Sequence, residues 1–144
     1  MTERELLLLI VDCAFDKRSW HGPNLRSSMR GISAAQASAQ IKNRKTIWQQ
    51  ALHSAYWKQR VANRLGSKQK LPWAGKNWML PPGKQSDAAW REDLKQIEKV
   101  HRRFRQALQA TSEMDEKTLW MVIGAALHDI YHAGQINGLK RMLK

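Results

Sequence analysis

Apolar residues in this chain return every three or four positions in four separate stretches, and nowhere do they alternate with polar ones for long enough to mark a strand. Asn137-Gly138, a hairpin signal elsewhere, falls inside one of the helical stretches. The pattern therefore predicts an all-α protein. The first stretch, 2–16, carries Leu6, Leu9, Ile10, Cys13 and Ala14 on one side and stops before "SWHGP", where Gly22 and Pro23 break a helix. A short turn of helix is expected through "NLRSSMRGI". The second long helix starts at Thr46, a residue type that caps helices. It reads "TIWQQALHSAYWKQRVANRL" up to Gly66, a helix stop.

The connection "GSKQKLPWAGKNWMLPPGKQS" is long for a compact domain, and loops of that length tend to carry function. Ser86 is the expected cap of the third helix, with Asp87 in its first turn and Trp90, Leu94, Ile97, His101, Phe104 and Leu108 as one heptad-like stripe. The fourth helix runs from about Thr118 to about Leu143. Four such segments suit a four-helix bundle forming one domain over 1–144, and the two long connections, 20–45 and 66–85, allow crossovers.

Twenty-five Lys and Arg against twelve acids give a net charge of +13. A charge of that size suits a nucleic-acid or anionic surface, but it is scattered, apart from Lys99, Arg102, Arg103 and Arg105. No recognition-helix arrangement, zinc-finger spacing or RNA-binding signature accompanies it, so no specific nucleic acid is expected as a partner. The longest strongly apolar run near the start, 6–11, is too short to span a bilayer, and neither a membrane role nor a secretory signal is expected. The single cysteine, Cys13, has no internal disulfide partner, which fits the cytoplasm, and its helical setting suggests a buried, inert thiol.

The chemistry concentrates in "HDIYHAGQINGLKR". Along the fourth helix Met121, Ala125, His128, His132, Gln135, Leu139 and Met142 form an inward seam, flanked by Leu119, Ile123, Ala126, Ile130 and Ala133. Two residues four apart differ by roughly 40° in direction, so both imidazoles share a face and can chelate one metal. His53, mid-helix beside Tyr56 and Trp57, can supply a third nitrogen from the second helix. Three buried imidazoles without partners would cost roughly 1–3 kcal/mol for each unsatisfied group, a penalty a metal removes. Three neutral histidines suit zinc, nickel or iron as the divalent metal and leave positions open for water, a thiol or substrate. Gln135 is a candidate to orient His132, His101 a candidate fourth ligand or hydrogen-bond partner, and His21 a loop residue able to approach the mouth.

These residues sit in an order that resembles the DinB/YfiT-like metalloenzyme superfamily over nearly the whole chain. The landmarks are "SWHGPNLRSSMRGI", "TIWQQALHSAYWKQRV", "NWMLPPGKQSDAAWREDL" and, most specific, "HDIYHAGQINGLKR". The resemblance implies a four-helix bundle with a left-handed crossover order, often dimeric. It also implies a divalent metal on three histidines, which map to His53, His128 and His132. Better understood members of that superfamily are metal-dependent transferases that use low-molecular-weight thiols such as bacillithiol or mycothiol.

The expected function is thus that of a cytoplasmic metal-dependent enzyme, a transferase or hydrolase acting on an electrophilic small molecule, with the 66–85 loop and its Trp73 and Trp78 walling the site. Two rival readings are a basic nucleic-acid binder and a non-catalytic dimeric scaffold. A homodimer is expected because Trp and Met in the long loops need cover. Gly134 and Gly138 suggest that one face of the last helix approaches another backbone closely.

Overall fold

A computed structural model describes residues 1–70, 73, 77–79 and 83–144. Six helices and no strand appear among these residues: α1 (Glu3–Phe15), α2 (Leu25–Met29), α3 (Ala34–Ser38), α4 (Ile47–Arg64), α5 (Asp87–Ala110) and α6 (Glu116–Met142). The three prolines of the 66–85 connection, Pro72, Pro81 and Pro82, lie outside the described residues.

The helix starts follow local chemistry. Thr46 and Gln49 form a reciprocal cap on α4: Gln49 N–H donates to Thr46 Oγ1 at 3.2 Å and Thr46 N–H to Gln49 Oε1 at 3.0 Å. Ser86 accepts from Ala89 N–H to start α5, as expected. Asp115 caps α6, so that helix begins at Glu116, two residues before the expected start near Thr118. The α4 stop is a Schellman turn, in which Gly66 at φ +107° lets its own N–H reach Asn63 O and the Ser67 N–H reach Ala62 O. The connection 20–45 holds α2, as expected, and also α3, which periodicity alone does not find. Its signal is the Ser33/Gln36 capping box.

The four long helices touch in a ring, α1 to α5, α5 to α4, α4 to α6 and α6 back to α1. Their cores form two apolar clusters. One joins Phe15, Trp48, Leu52, Trp90, Ile97 and Ile136, among others; the second joins Leu7, Val11, Val61, Phe104, Leu108 and Val122. Three of the long helices pass from one cluster to the other at a polar residue: Lys58 on α4, His101 on α5 and Asp129 on α6. On α1 the change falls between Ala14 and Phe15, with Asp12 one turn before it. The Lys58 ammonium pairs with the Asp129 carboxylate in this belt, and both are almost fully buried. Ser54 Oγ donates to the same carboxylate at 2.6 Å. Arg105 takes both oxygens of Asp12, at 2.6 and 3.0 Å.

Two helix phases differ from expectation. On α1 the buried residues are Leu7, Val11, Ala14 and Phe15, while Leu6 and Leu9 are exposed and Cys13 is only half-buried. An unbroken apolar run contains no phase information, and the large Phe15 decides which side faces in. On α6 the buried residues are Val122, Ala125, Ala126, Asp129, His132, Ala133, Ile136 and Leu139. Ala125, His132 and Leu139 of the expected seam thus do face inward, while Met121, His128 and Gln135 are only half-buried. The centre of the buried face lies about one position away from that seam. Ile123 and Met142 consequently face water. Inside, the Asp129 charge is met by Lys58, so a carboxylate occupies a place that hydropathy assigns to an apolar residue. Gly134 and Gly138 do not mark a close backbone approach, since a Cβ built at either meets nothing within 4 Å.

Candidate metal centre

Helices α4 and α6 lie side by side, and the shifted phase of α6 leaves His132 buried and His128 half-buried at the edge of the interface. His53 projects from the middle of α4 into the same place. His128 Nε2 lies 3.2 Å from His53 Nε2 and 3.0 Å from His132 Nε2. The three ligand nitrogens all fall within 4.8 Å of one another.

The partners of the opposite ring nitrogens determine what these contacts mean. His53 Nδ1 sits 2.7 Å from the backbone oxygen of Asn77, which only accepts, so Nδ1 carries the proton. His132 Nδ1 likewise donates to the side-chain oxygen of Gln50. Both rings therefore present bare Nε2 lone pairs towards His128, and a single proton on His128 can satisfy only one of them. A metal satisfies all three. At a metal–nitrogen distance of about 2.0–2.1 Å, neighbouring ligands are separated by about 2.9 Å in octahedral and about 3.3 Å in tetrahedral geometry, which brackets the spacing found here. The donor set and its geometry thus fit a divalent transition ion.

Burial keeps the imidazoles neutral, as ligands must be. It lowers His53 below the ordinary value of 6.5, against the pull of the Asn77 hydrogen bond and helped by Lys45. His128 is lowered to about 4 by burial, then by His53 and Lys58, and His132 to about 3 by burial and the other two rings.

The loop contributes more than cover. Trp78 stacks flat on His53 at 3.8 Å between centroids, with Lys45 Nζ 5.3 Å over the indole. Asn77 is held at both ends, its carbonyl on His53 and its side-chain oxygen on the Trp57 indole N–H at 2.7 Å. Met79 sinks into the first apolar cluster and anchors this strip. Trp73, expected beside the site, instead donates to Asp93 on α5, which also accepts from Trp48.

Of the other sequence candidates, none joins the cluster. His21 is exposed and sits 3.0 Å from Pro23 O. Gln135 is half-buried, and Gln50 holds the His132 nitrogen expected to be its partner. His101 belongs to the polar belt. Its Nε2 faces Asp12 at 3.4 Å and Asp16 at 3.9 Å, a ligand-like grouping of its own. Two cations oppose metal binding there: Arg105 occupies Asp12, and Lys58 Nζ stands 3.5 Å from His101 Nδ1. A metal-bound imidazole usually donates its second nitrogen to an acceptor, and an ammonium is the reverse of one.

Sequence reasoning missed Gln50 and Asn77. Gln50 stands three residues before His53, one turn away on the same helix, and was findable as a polar residue beside a histidine in a buried stretch. The Asn77 contact is made by backbone and has no sequence signal. No helix among the described residues is long and apolar enough to cross a membrane. Comparison with models of protein families, with characterised proteins and with solved structures finds no match to this chain.

Proposed function

We propose that this chain is a metal-dependent enzyme in which His53, His128 and His132 hold one divalent transition metal, and that it uses a thiol or water to attack a small electrophile. The observation that carries the reading is the pair of pinned imidazoles, whose Nδ1 protons are committed to Asn77 and Gln50 and whose Nε2 lone pairs converge beside His128. Three protein ligands leave open positions, the pattern of a catalytic centre rather than a structural one. When bound, zinc, nickel or iron supplies Lewis acidity that makes a thiol or water a nucleophile near neutral pH.

The chain's own residues hold the frame. Trp78 covers one face of His53 and keeps water from it. Ser54 follows His53 and Asp129 follows His128, so the Ser54–Asp129 hydrogen bond ties together the two helix turns that carry the ligands. The order of landmarks shared with the DinB/YfiT-like superfamily supports a four-helix bundle of that type and a low-molecular-weight thiol as cosubstrate.

Metal content is the deciding measurement. The protein, purified without a histidine tag and reconstituted separately with each metal, should hold about one equivalent, and His128→Ala should hold little. Less than about a tenth of an equivalent for every metal would sink the reading. The metal should also raise the melting temperature of the wild type and leave that of His128→Ala unchanged. The charge of +13 favours one rival, a nucleic-acid binder. Salt-sensitive DNA or RNA binding at ~50 mM salt, together with no metal uptake, would put it in place of the enzyme.

A further inference from the structure

Between α4 and α6, the helices that carry the three histidines, runs a cleft of about 340 Å³. Trp57 and Val61 line it from α4, Trp120, Met121, Gly124 and Ala125 line it from α6, and His128 closes one end. We infer that this cleft is the substrate's binding site, and that it takes an apolar group, an aromatic ring or a short alkyl chain, whose polar end faces the histidines. The inference rests on the metal-centre reading above and adds to it the class of substrate.

Four observations support it. The cleft shares a wall with the centre through His128, the half-buried one of the three histidines, so a molecule lying in it touches the only ligand side chain with substantial access from outside. Its surface offers almost nothing polar: two indoles, valine, methionine and alanine, with the Trp57 N–H already given to Asn77. The Trp57 ring is held in advance, by that bond, by an edge contact with Tyr56 at 5.4 Å and by the Arg60 guanidinium 5.4 Å over it. A wall already fixed loses little freedom on binding.

The fourth observation is Gly124. Glycine weakens a helix interior, and here it is the ninth residue of α6, with no neighbour within 4 Å of where a Cβ would stand. Neither backbone conformation nor packing calls for it. Gly134 and Gly138 on the same helix have equally open surroundings. What sets Gly124 apart is its place in the cleft lining, where its missing side chain leaves the volume free. The volume falls at the small end of ligand pockets and suits a single ring with a short substituent.

Hydroxamates test this, because one metal-binding head can carry different tails. Zinc uptake is measured first; calorimetry then compares benzohydroxamate with acetohydroxamate on the zinc-loaded protein. Benzohydroxamate should bind roughly ten- to a hundredfold more tightly, as burial of one ring implies. Gly124→Leu fills the cleft from a position with room for it. It should keep the helical circular dichroism and the zinc content, and bring the two affinities within about threefold of each other. Gly124→Ala should fall between them.

Equal affinities in the wild type, or an undiminished preference in Gly124→Leu, overturn the inference while leaving the metal centre standing. Failure of zinc, nickel and iron uptake overturns both. A wild type that sediments as a dimer, a Gly124→Leu variant that sediments as a monomer and no tail preference in either would show the cleft to be covered by a second copy, and would also overturn it.

Discussion

Gln50 is the residue on which the proposed centre depends most without touching it. Its side-chain oxygen accepts the His132 Nδ1 proton, which both orients the ring and keeps Nε2 bare. Gln50→Ala removes that acceptor and lets the imidazole turn or change tautomer. Metal affinity, measured by competition with a chromophoric chelator, should fall roughly ten- to a hundredfold, with helix content unchanged. Wild-type affinity in this variant would mean that the ring is held by packing alone. The three histidines themselves were legible in the sequence, because His128 and His132 stand one turn apart and His53 interrupts an otherwise apolar stretch. Their partners were hard to read for a physical reason: an acceptor is chosen by distance in space, and an amide side chain looks the same in sequence whether it faces water or an imidazole.

Among the elements, α4 and α5 were read most accurately, and the cause is the same in both. Each begins at a side-chain cap with a distinctive residue type. Helix α5 also mixes polar and apolar residues enough to fix its phase, whereas α4 is buried at every position from Ile47 to Tyr56. Thr46→Ala should lower stability by about 1 kcal/mol in urea unfolding, since it leaves the Gln49 N–H without its partner at a buried helix start. Retention of full stability would assign the α4 start to its packing. On α1 and α6 the reading slipped. Leu6 to Val11 is apolar at every position, and α6 carries apolar residues over a wide arc, so tertiary contacts chose the inward face. The one-position shift on α6 matters chemically. It sends Asp129 into the belt and brings His128 out to the edge, where a ligand can reach it.

At the scale of the whole molecule, the buried His101 makes stability depend on pH in a definite direction. Its ring stacks on Phe15 at 4.0 Å, with Asp12 and Asp16 at one nitrogen and Lys58 at the other. Burial, then Lys58, Arg105, Lys17 and Arg102, lower it from 6.5 to about 2, and the two carboxylates do not offset this. The folded state therefore leaves the ring neutral where the unfolded chain protonates it. The resulting stability is complete above pH 6.5 and is lost as pH falls from 6.5 towards 2, by up to about 1.4 kcal/mol per pH unit. His101→Phe keeps a ring against Phe15 and should flatten that part of the acid dependence in urea titrations between pH 6.5 and 4.5. An unchanged slope would place the acid sensitivity elsewhere.

The belt of Asp12, Lys58, His101 and Asp129 also bears on how the molecule comes apart. Apolar contacts hold each end of the long helices, while between the ends ion pairs tie neighbouring helices together. Lys58 and Asp129 join α4 to α6, and Asp12 and Arg105 join α1 to α5. Such pairs are far more sensitive to a single deletion. Lys58→Met strands the Asp129 carboxylate among apolar side chains, a change expected to cost about 3–5 kcal/mol. The loss should not be shared evenly. In hydrogen exchange, amides near Phe104 and Val122 should begin to open at a lower denaturant concentration than those near Trp48 and Trp90, so that one cooperative transition separates into two. A molecule assembled in this way has a seam across its waist, and the histidine centre lies along it.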